Sequence, residues 1–363
     1  MLLTEFSGVP RDNVSLTPWR WALAPLVPLS HLYGFGMLAR KRLYAGGLLK
    51  ERALPVKVIS IGNLTLGGTG KTPVVIALAN ELRDRGHAVG VISRGYGRQT
   101  TEDVVEVSDG HSLRSDPQKT GDEPLLIAER CPGVSVAVGA DRYAAGQYLL
   151  GRFGLDTLIL DDGFQHHALK RDVDVVLLDA TSPFGNGYVF PRGRLRERLS
   201  ALERASLVVL TRAGQGDFDG AFEAIRRAAP AAHVCLTDFI PTRLRRIDGS
   251  GSEPPDALKG ERVVAFSGIG NPESFRRLLE RLGALVVDHC GFPDHHVYCI
   301  QDIRRVAKLA ANLRADRVVT TEKDAVKVRL LTHGADDPAV WALRIDLEWL
   351  AGGEEWERLV LQS

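Results

Sequence analysis

Residues Gly62 to Pro73 read GNLTLGGTGKTP, and the fold turns on what this stretch is. It nearly spells the phosphate-binding loop G-x-x-x-x-G-K-[ST], except that Thr65 stands where the first glycine should be. The flanks supply the test. Val56 to Gly62, VKVISIG, is a short apolar, β-branched run that reads as a buried strand. Thr72 to Gly86, TPVVIALANELRDRG, carries apolar residues at helical spacing and stops at a glycine suited to a C-cap. Strand, glycine-rich loop and helix is the order that the motif requires. Gly67, Gly68 and Gly70 let the backbone curl so that several N–H groups face an anion, aided by the positive end of the helix. Lys71 then reaches the β- and γ-phosphates, and the Thr72 hydroxyl ligates Mg²⁺. Thr65 is compatible with this, because the first glycine is the least committed to phosphate contact. Thr65, Leu66, Gly67, Gly68, Thr69, Gly70, Lys71 and Thr72 are therefore expected to cradle a nucleoside triphosphate.

Outward from the loop the alternation of strands and helices continues. His87–Gly97, Val134–Arg142, Leu155–His167, DVDVVLLDAT and ASLVVLTRAG each read as an apolar strand ending in polar residues. In an open parallel sheet ligands sit outside the carboxyl ends of the strands, which makes those residues site candidates. The run LILDD has the form of a Walker B strand, with Asp161 as a Mg²⁺ ligand. Asp238 to Glu261 is rich in Pro, Gly and Ser and reads as containing a short extended linker. A second strand–turn–helix series follows it without a phosphate loop. The expected fold is α/β: a P-loop NTPase-type parallel sheet domain flanked by helices (residues 53–238), then linker strands and a smaller α/β domain (239–363). Residues 1–52 are expected to form an N-terminal membrane-associated helical segment of the first domain.

That segment differs in kind from the rest. Between Arg20 and Arg40 lie 19 residues without a formal charge, interrupted by Pro25, Pro28, Gly34 and Gly36. The length could just span a bilayer, but the interruptions favour a helix lying in the interface. Trp19, Trp21, Tyr33 and Phe35 would sit at headgroup depth, with Arg20, Arg40, Lys41 and Arg42 on anionic lipid. No small-x-small cleavage site follows a compact apolar core, which argues against a removable signal peptide. Across all 363 residues the net charge is +1, so no charge bias points to nucleic acid. Cys131, Cys235, Cys290 and Cys299 are scattered without a C-x-x-C pair, which suggests reduced thiols.

Several segments together resemble the tetraacyldisaccharide 4′-kinases of lipid A biosynthesis. They are ISIGNLTLGGTGKTP, VISRGYGR, GDEP (Gly121–Pro124), VGADR, LDDGFQH, LRERLSALERA (Leu195–Ala205), GFPDHH (Gly291–His296) and TTEKDAVK (Thr320–Lys327), in family order from about residue 19 to 350. GGTGKT is common to many ATPases; GDEP, LDDGFQH and TEKDAVK in that order are far more specific. The resemblance implies transfer of the γ-phosphate of ATP, with Mg²⁺, to the 4′-hydroxyl of an acylated glucosamine disaccharide 1-phosphate lipid, giving lipid IVA. It also implies work at the cytoplasmic face of the bacterial inner membrane, with the membrane surface as partner and no obligate protein partner.

Such chemistry needs positioning, charge neutralisation and a carboxylate to take the hydroxyl proton. Asp122, in a tight G-D-E-P turn, is placed to be that base, and the resemblance adds His295 from the second domain as its helper once both lobes close. Lys71 completes the catalytic set. Mg²⁺ ligands are expected at Thr72, Asp161 and Glu123, and substrate contacts at Arg142, Asp162, His166, Arg196 and Glu197. Arg142, Arg196 and Lys323 are candidates to neutralise phosphate charge. His289, His295 and His296 raise a metal site that no Cys or acidic pattern completes. The rival is a membrane-cycling P-loop ATPase that positions other proteins, but those have a lysine before the two glycines, where this chain has Leu66. A GTPase would need N-K-x-D, which neither TRAG (Thr211–Gly214) nor TEKD supplies.

Overall fold

The computed structural model describes residues 24–216, 218–329, 331 and 339–362. Trp19, Arg20 and Trp21 lie outside these residues. The described chain gathers into two compact units. One holds the residues up to Arg94 together with Gly133–Phe239 and those from Leu347 onward; the other holds Gly95–Pro132 and Ile240–Asp346. The chain therefore changes unit after Arg94, Pro132, Phe239 and Asp346, not once near residue 238.

In the first unit the strands neighbour one another in the order His233–Arg246 (as far as Phe239), Leu207–Thr211, Val173–Asp179, Lys57–Asn63, Thr157–Asp161, Val89–Ser93 and Ser135–Gly139. All the neighbouring pairs are parallel. Parallel strands need crossovers, and both faces are then covered, so the strands read as unbroken apolar runs. Val58, Ile59 and Ile61 of the central strand are accordingly buried. The carboxyl ends carry Asn63, Ser93, Asp161, Asp179 and Thr211, the polar residues around which the first site is built. The last residues return to this unit. Trp356 is buried and its indole N–H donates to Glu81 Oε2 at 2.8 Å, while Lys57 Nζ donates to the Val360 carbonyl at 2.8 Å.

Helix Val27–Ala45 has two unlike faces. Ser30 and Gly34 are buried, and Ser30 Oγ accepts from the Arg192 N–H at 3.0 Å. The Tyr33 ring meets Phe190 edge-on, with centroids 5.6 Å apart, and packs on the cluster that includes Leu64, Phe164 and Leu195. Tyr33 is thus an inward residue, contrary to its expected place at a membrane interface; an aromatic next to small residues on one helix face is drawn to the protein's own core. Leu29, Leu32 and Phe35 are 51%, 68% and 64% exposed on the remaining surface. No described helix is long and apolar enough to cross a membrane.

In the second unit the strands Leu285–Gly291, Arg262–Ser267, Arg317–Thr321 and Val340–Ala351 are neighbours in that order, all parallel. Alternation along Arg262–Ser267 divides the interior: Val263 and Ala265 face helix Pro272–Arg281 through Phe275 and Leu279, whereas Val264 and Phe266 face helix Ile300–Asn312 through Ile303 and Val306. The stretch expected to contain a linker opens as the last part of strand His233–Arg246, whose Leu244 pairs antiparallel with Glu253. Leu244 is fully buried, but the exposed Arg243 and Arg245 on either side hide that alternation from a composition reading.

Residues 95–132 join this unit through helix Asp122–Arg130, which lies along helix Glu322–Val328. Arg130, its side chain 5% exposed, pairs with both Glu322 and Asp346, and Glu123 accepts from Lys323 Nζ at 2.9 Å. Ties between residues about 200 positions apart in sequence leave no trace in a linear reading. Arg130→Met strands the buried Glu322 carboxylate, and the expected loss of stability is about 3–5 kcal/mol. Urea denaturation of the full chain checks this; a loss below about 1 kcal/mol would mean that the triad contributes no more than a surface pair.

Candidate functional site

The first cluster forms where strand Lys57–Asn63 gives way to helix Lys71–Asp84. Gly67 and Gly70 have φ of 111° and 81°, in the region that favours glycine. Asn63 Nδ2 spans the loop, donating to the Thr65 carbonyl at 2.8 Å and to Thr69 Oγ1 at 3.1 Å. Three more carbonyls are tied back from outside the loop: Leu66 O accepts from Arg194 Nε at 3.0 Å, Gly68 O from Arg212 Nη1 at 3.1 Å and Thr69 O from Thr211 Oγ1 at 2.9 Å, while Gly67 O accepts from the Thr69 N–H at 3.1 Å. The Leu66 and Thr69 N–H groups are spent on the Arg194 and Gly67 carbonyls, so the N–H groups available to an anion are those of the glycines and the helix start. Thr65, in place of the first glycine, is buried and bridged to Leu195, so its side chain packs instead of facing a ligand.

Lys71 opens the helix, and its Nζ lies 3.5 Å from Asp162 Oδ1. Arg196 Nη1 donates to both Asp162 oxygens at 2.9 Å. Burial pushes the Asp162 carboxyl up, but Lys71 and Arg196 outweigh it and hold the group below its ordinary value. Asp161 is 2% exposed, and its Oδ2 accepts the Ser93 hydroxyl at 2.7 Å. The Thr72 hydroxyl and the Asp161 carboxylate are hard oxygen donors of the kind Mg²⁺ takes. The donor set fits that ion without a nitrogen or sulfur ligand.

The second cluster lies wholly within the second unit. Asp122 is not in an isolated turn: it is the first residue of helix Asp122–Arg130, with Gly121 at the N-cap. Pro124 is compatible with helix here because the first turn needs no N–H from it. His295 Nδ1 lies 3.1 Å from Asp122 Oδ1. The two residues belong to one unit, so their meeting requires no closure of lobes, contrary to expectation. His295 has a left-handed φ of 58°, with its N–H bonded to Asp294 Oδ1 at 3.0 Å. Lys323 Nζ stands 3.3 Å from His295 Nε2 and 2.9 Å from Glu123 Oε1. Lys327 Nζ stands 3.4 Å from Asp122 Oδ2 and 3.1 Å from Asp324 Oδ1. Asp324, fully buried, also accepts from the Gly268 N–H and the Thr321 hydroxyl.

The electrostatics follow from these contacts. Burial disfavours the Asp122 anion, but the His295 hydrogen bond and the Lys323 and Lys327 charges together hold its carboxyl well below the usual range. The Asp122 hydrogen bond raises the pKa of His295 against the opposing effects of burial and Lys323. Burial lowers the pKa of Lys323, yet Glu123, Asp122 and Asp294 raise it further than burial lowers it. The result is a carboxylate and the Lys323 ammonium that stay charged at neutral pH, with a histidine between them.

Other expected residues sort differently. Glu123, expected with Thr72 and Asp161, sits beside Asp122 and is engaged by Lys323. Glu197 is buried and faces Arg204 at 2.9 Å. Arg142 is buried, donating to the Ala140 carbonyl at 2.9 Å. His289 meets Ser267 and His296 meets Asp302, and no metal-holding group of three such ligands occurs among the described residues. Lys327, Asp324, Arg194 and Arg212 were missed. The only available signal was Lys327 standing four residues after Lys323 in TEKDAVK, one turn apart on a helix face.

Comparison with known proteins follows the same lines. A family model described as tetraacyldisaccharide-1-P 4′-kinase matches residues 22–363. A tetraacyldisaccharide 4′-kinase from Anaeromyxobacter sp. is 46% identical, over 91% of this chain and 88% of that protein. Another, from Syntrophus aciditrophicus, is 43% identical over 82% of each. The crystal structure of LpxK from Aquifex aeolicus in complex with ATP is similar with a TM-score of 0.75 at 32% identity, covering 94% of this chain and 99% of that one.

His166 and His167 give a pH test of the first unit. Burial, then neighbouring cations (Arg142, Arg171 and Arg40 for His166; Arg204, Arg171, Arg40 and Lys41 for His167) lower both to about 4. An unfolded histidine titrates near about 6.5, so between there and 4 the unfolded chain binds more protons. The histidines' contribution is present above about 6.5 and is lost as pH falls toward 4. The expected result is a urea midpoint that declines over that window, with a shallower decline in His167→Phe. An unchanged slope in the variant would show that His167 titrates normally in the folded protein.

Proposed function

The chain belongs to the tetraacyldisaccharide-1-phosphate 4′-kinase family, whose members are ATP-dependent phosphotransferases, and from that premise we propose how its residues divide the reaction. The observation that carries the proposal is the pairing of Asp122 with His295 at a helix N-terminus, under two lysines. Asp122 is the base for the 4′-hydroxyl of the acylated disaccharide 1-phosphate. A carboxylate held this far down is a weak base, and a weak base suffices where the transition state is loose. The attacking hydroxyl becomes strongly acidic only once its bond to phosphorus has begun to form. As that bond forms and the bond from the γ-phosphorus to the β,γ-bridging oxygen breaks, the hydroxyl proton passes to Asp122, with His295 sharing the charge.

On the first unit, Lys71 and the N–H groups of Gly67, Gly68, Gly70 and Lys71 hold the transferring phosphoryl group and its neighbours. Thr72 and Asp161 would hold Mg²⁺, which neutralises phosphate charge when bound. Asp162 and Arg196 orient Lys71 when no phosphate competes for it, a role supported by their mutual contacts. The exposed Leu29, Leu32 and Phe35, together with the nearby Arg40, Lys41 and Arg42, support a helix that rests on the cytoplasmic face of the inner membrane. This would bring the enzyme to a lipid acceptor.

Asp122→Asn is expected to lower kcat by about 10²–10⁴-fold with ATP affinity unchanged. Lys71→Ala is expected to remove roughly 3–4 kcal/mol of transition-state stabilisation and to weaken ATP as well. Steady-state kinetics with Mg-ATP and detergent-dispersed acylated disaccharide, beside equilibrium ATP binding, separates the two effects. An Asp122 effect confined to ATP affinity would move that residue from base to nucleotide ligand. Replacing Leu29, Leu32 and Phe35 together with serine is expected to release the protein from phosphatidylglycerol vesicles while sparing ATP binding; undiminished flotation would remove the helix from the membrane.

A further inference from the structure

The second unit carries a cleft of about 410 Å³ that neither cluster uses. Thr242, Arg243, Arg245, Ser252, Arg344 and Asp346 line it. Three guanidinium groups thus face a single carboxylate, and that carboxylate is already engaged. Asp346 pairs with Arg130, accepts the Thr242 hydroxyl at 2.5 Å and lies 3.2 Å from Arg344 Nε. The neighbouring acids are also taken by other arginines: Glu129 by Arg329, Glu253 by Arg317, Asp248 by Arg246 and Glu322 by Arg130. Among the described residues Arg243 has only the Ser252 hydroxyl, at 3.3 Å, and Arg245 acts at longer range on Glu129, a carboxylate that Arg329 already engages.

Arginines gathered in a cleft raise its positive potential and draw anions to it. We propose that this cleft is a binding site for a phosphate group, with Arg243 and Arg245 as its principal ligands and the Ser252 hydroxyl as a further donor. Guanidinium forks match phosphate oxygens two at a time, and hydroxyls complete such sites. The volume falls in the range of small-molecule sites, enough for a diphosphate or the phosphorylated end of a larger molecule. Arg344, anchored by Asp346, keeps the floor positive without being free to leave. The site is separate from the phosphate loop, whose residues all belong to the other unit.

The test uses the full chain carrying Lys71→Ala, so that the loop does not bind the probe, and compares it with the same chain carrying Arg243→Gln and Arg245→Gln as well. Inorganic pyrophosphate is titrated at constant ionic strength while the melting temperature and binding heat are followed. The expected result is a saturable rise in melting temperature that chloride does not reproduce, with affinity falling roughly tenfold or more on loss of the two arginines. In a second arm, the same proteins are sedimented with vesicles of phosphatidic acid in phosphatidylcholine. Arginine-dependent vesicle binding without a pyrophosphate response assigns the phosphate to a lipid headgroup; a pyrophosphate response assigns it to a soluble molecule. Should the double glutamine variant fold poorly, Arg243→Lys with Arg245→Lys keeps the charge and is expected to lose part of the affinity. Equal responses with and without the arginines in both arms, or none in either, would overturn the proposal.

Discussion

A carboxylate taken out of water must be kept charged by what surrounds it, and much of the second unit is organised around that requirement at Asp122. Burial alone would raise its pKa and favour the protonated form. It is held ionised by its place at a helix N-terminus, by His295 and by two lysines from one helix. Each of those partners has its own support. Lys327 is pinned by the fully buried Asp324, which is itself fixed by the Gly268 N–H and Thr321. His295 holds a left-handed backbone conformation, one that persists only where the surroundings determine it.

The first unit solves the opposite problem. There the protein must present positive potential without placing many cations on the ligand's side of the loop. It does so with backbone: Thr211, Arg194, Arg212 and Asn63 tie the loop's carbonyls outward, and Gly67 and Gly70 adopt the angles that allow it. Lys71 is the one side-chain cation at the start of the helix, and Asp162 offsets it.

Much of this was legible in the sequence because it is local. The loop, its strand and its helix are contiguous, and GGTGKT dictates their geometry through glycine placement. Asp161 and Asp162 were readable as the end of an apolar run. What could not be read is whatever depends on distant pairing. Arg194 and Arg212 lie more than a hundred residues beyond the carbonyls they hold. The placement of residues 95–132 with the second unit rests on Arg130, Glu123 and their partners, none of which has a local signature. GDEP was misread as a turn because Pro124 looks like a helix breaker, although proline is harmless in a first turn. Tyr33 was assigned to membrane by composition, whereas its neighbours Ser30 and Gly34 mark the face that packs inward.

The placement of Asp122 is therefore a property of two helices and not of one loop. Helix Asp122–Arg130 carries an acid at its first residue and a base at its last, the arrangement its own dipole favours at both ends. Glu322 and Lys323, adjacent in the partner helix, hold opposite ends of it: Glu322 takes Arg130 and Lys323 takes Glu123. With both ends tied, rotation or sliding of one helix against the other breaks at least one buried ion pair. Asp122 Oδ1 can thus stay at hydrogen-bond distance from His295 although the two residues are 173 positions apart. Ion pairs of this kind add little net stability when judged against apolar replacements, but they tolerate few alternative registers. In this unit they fix where the Asp122 carboxylate stands, and the stability itself comes from the apolar layers on either side of strand Arg262–Ser267.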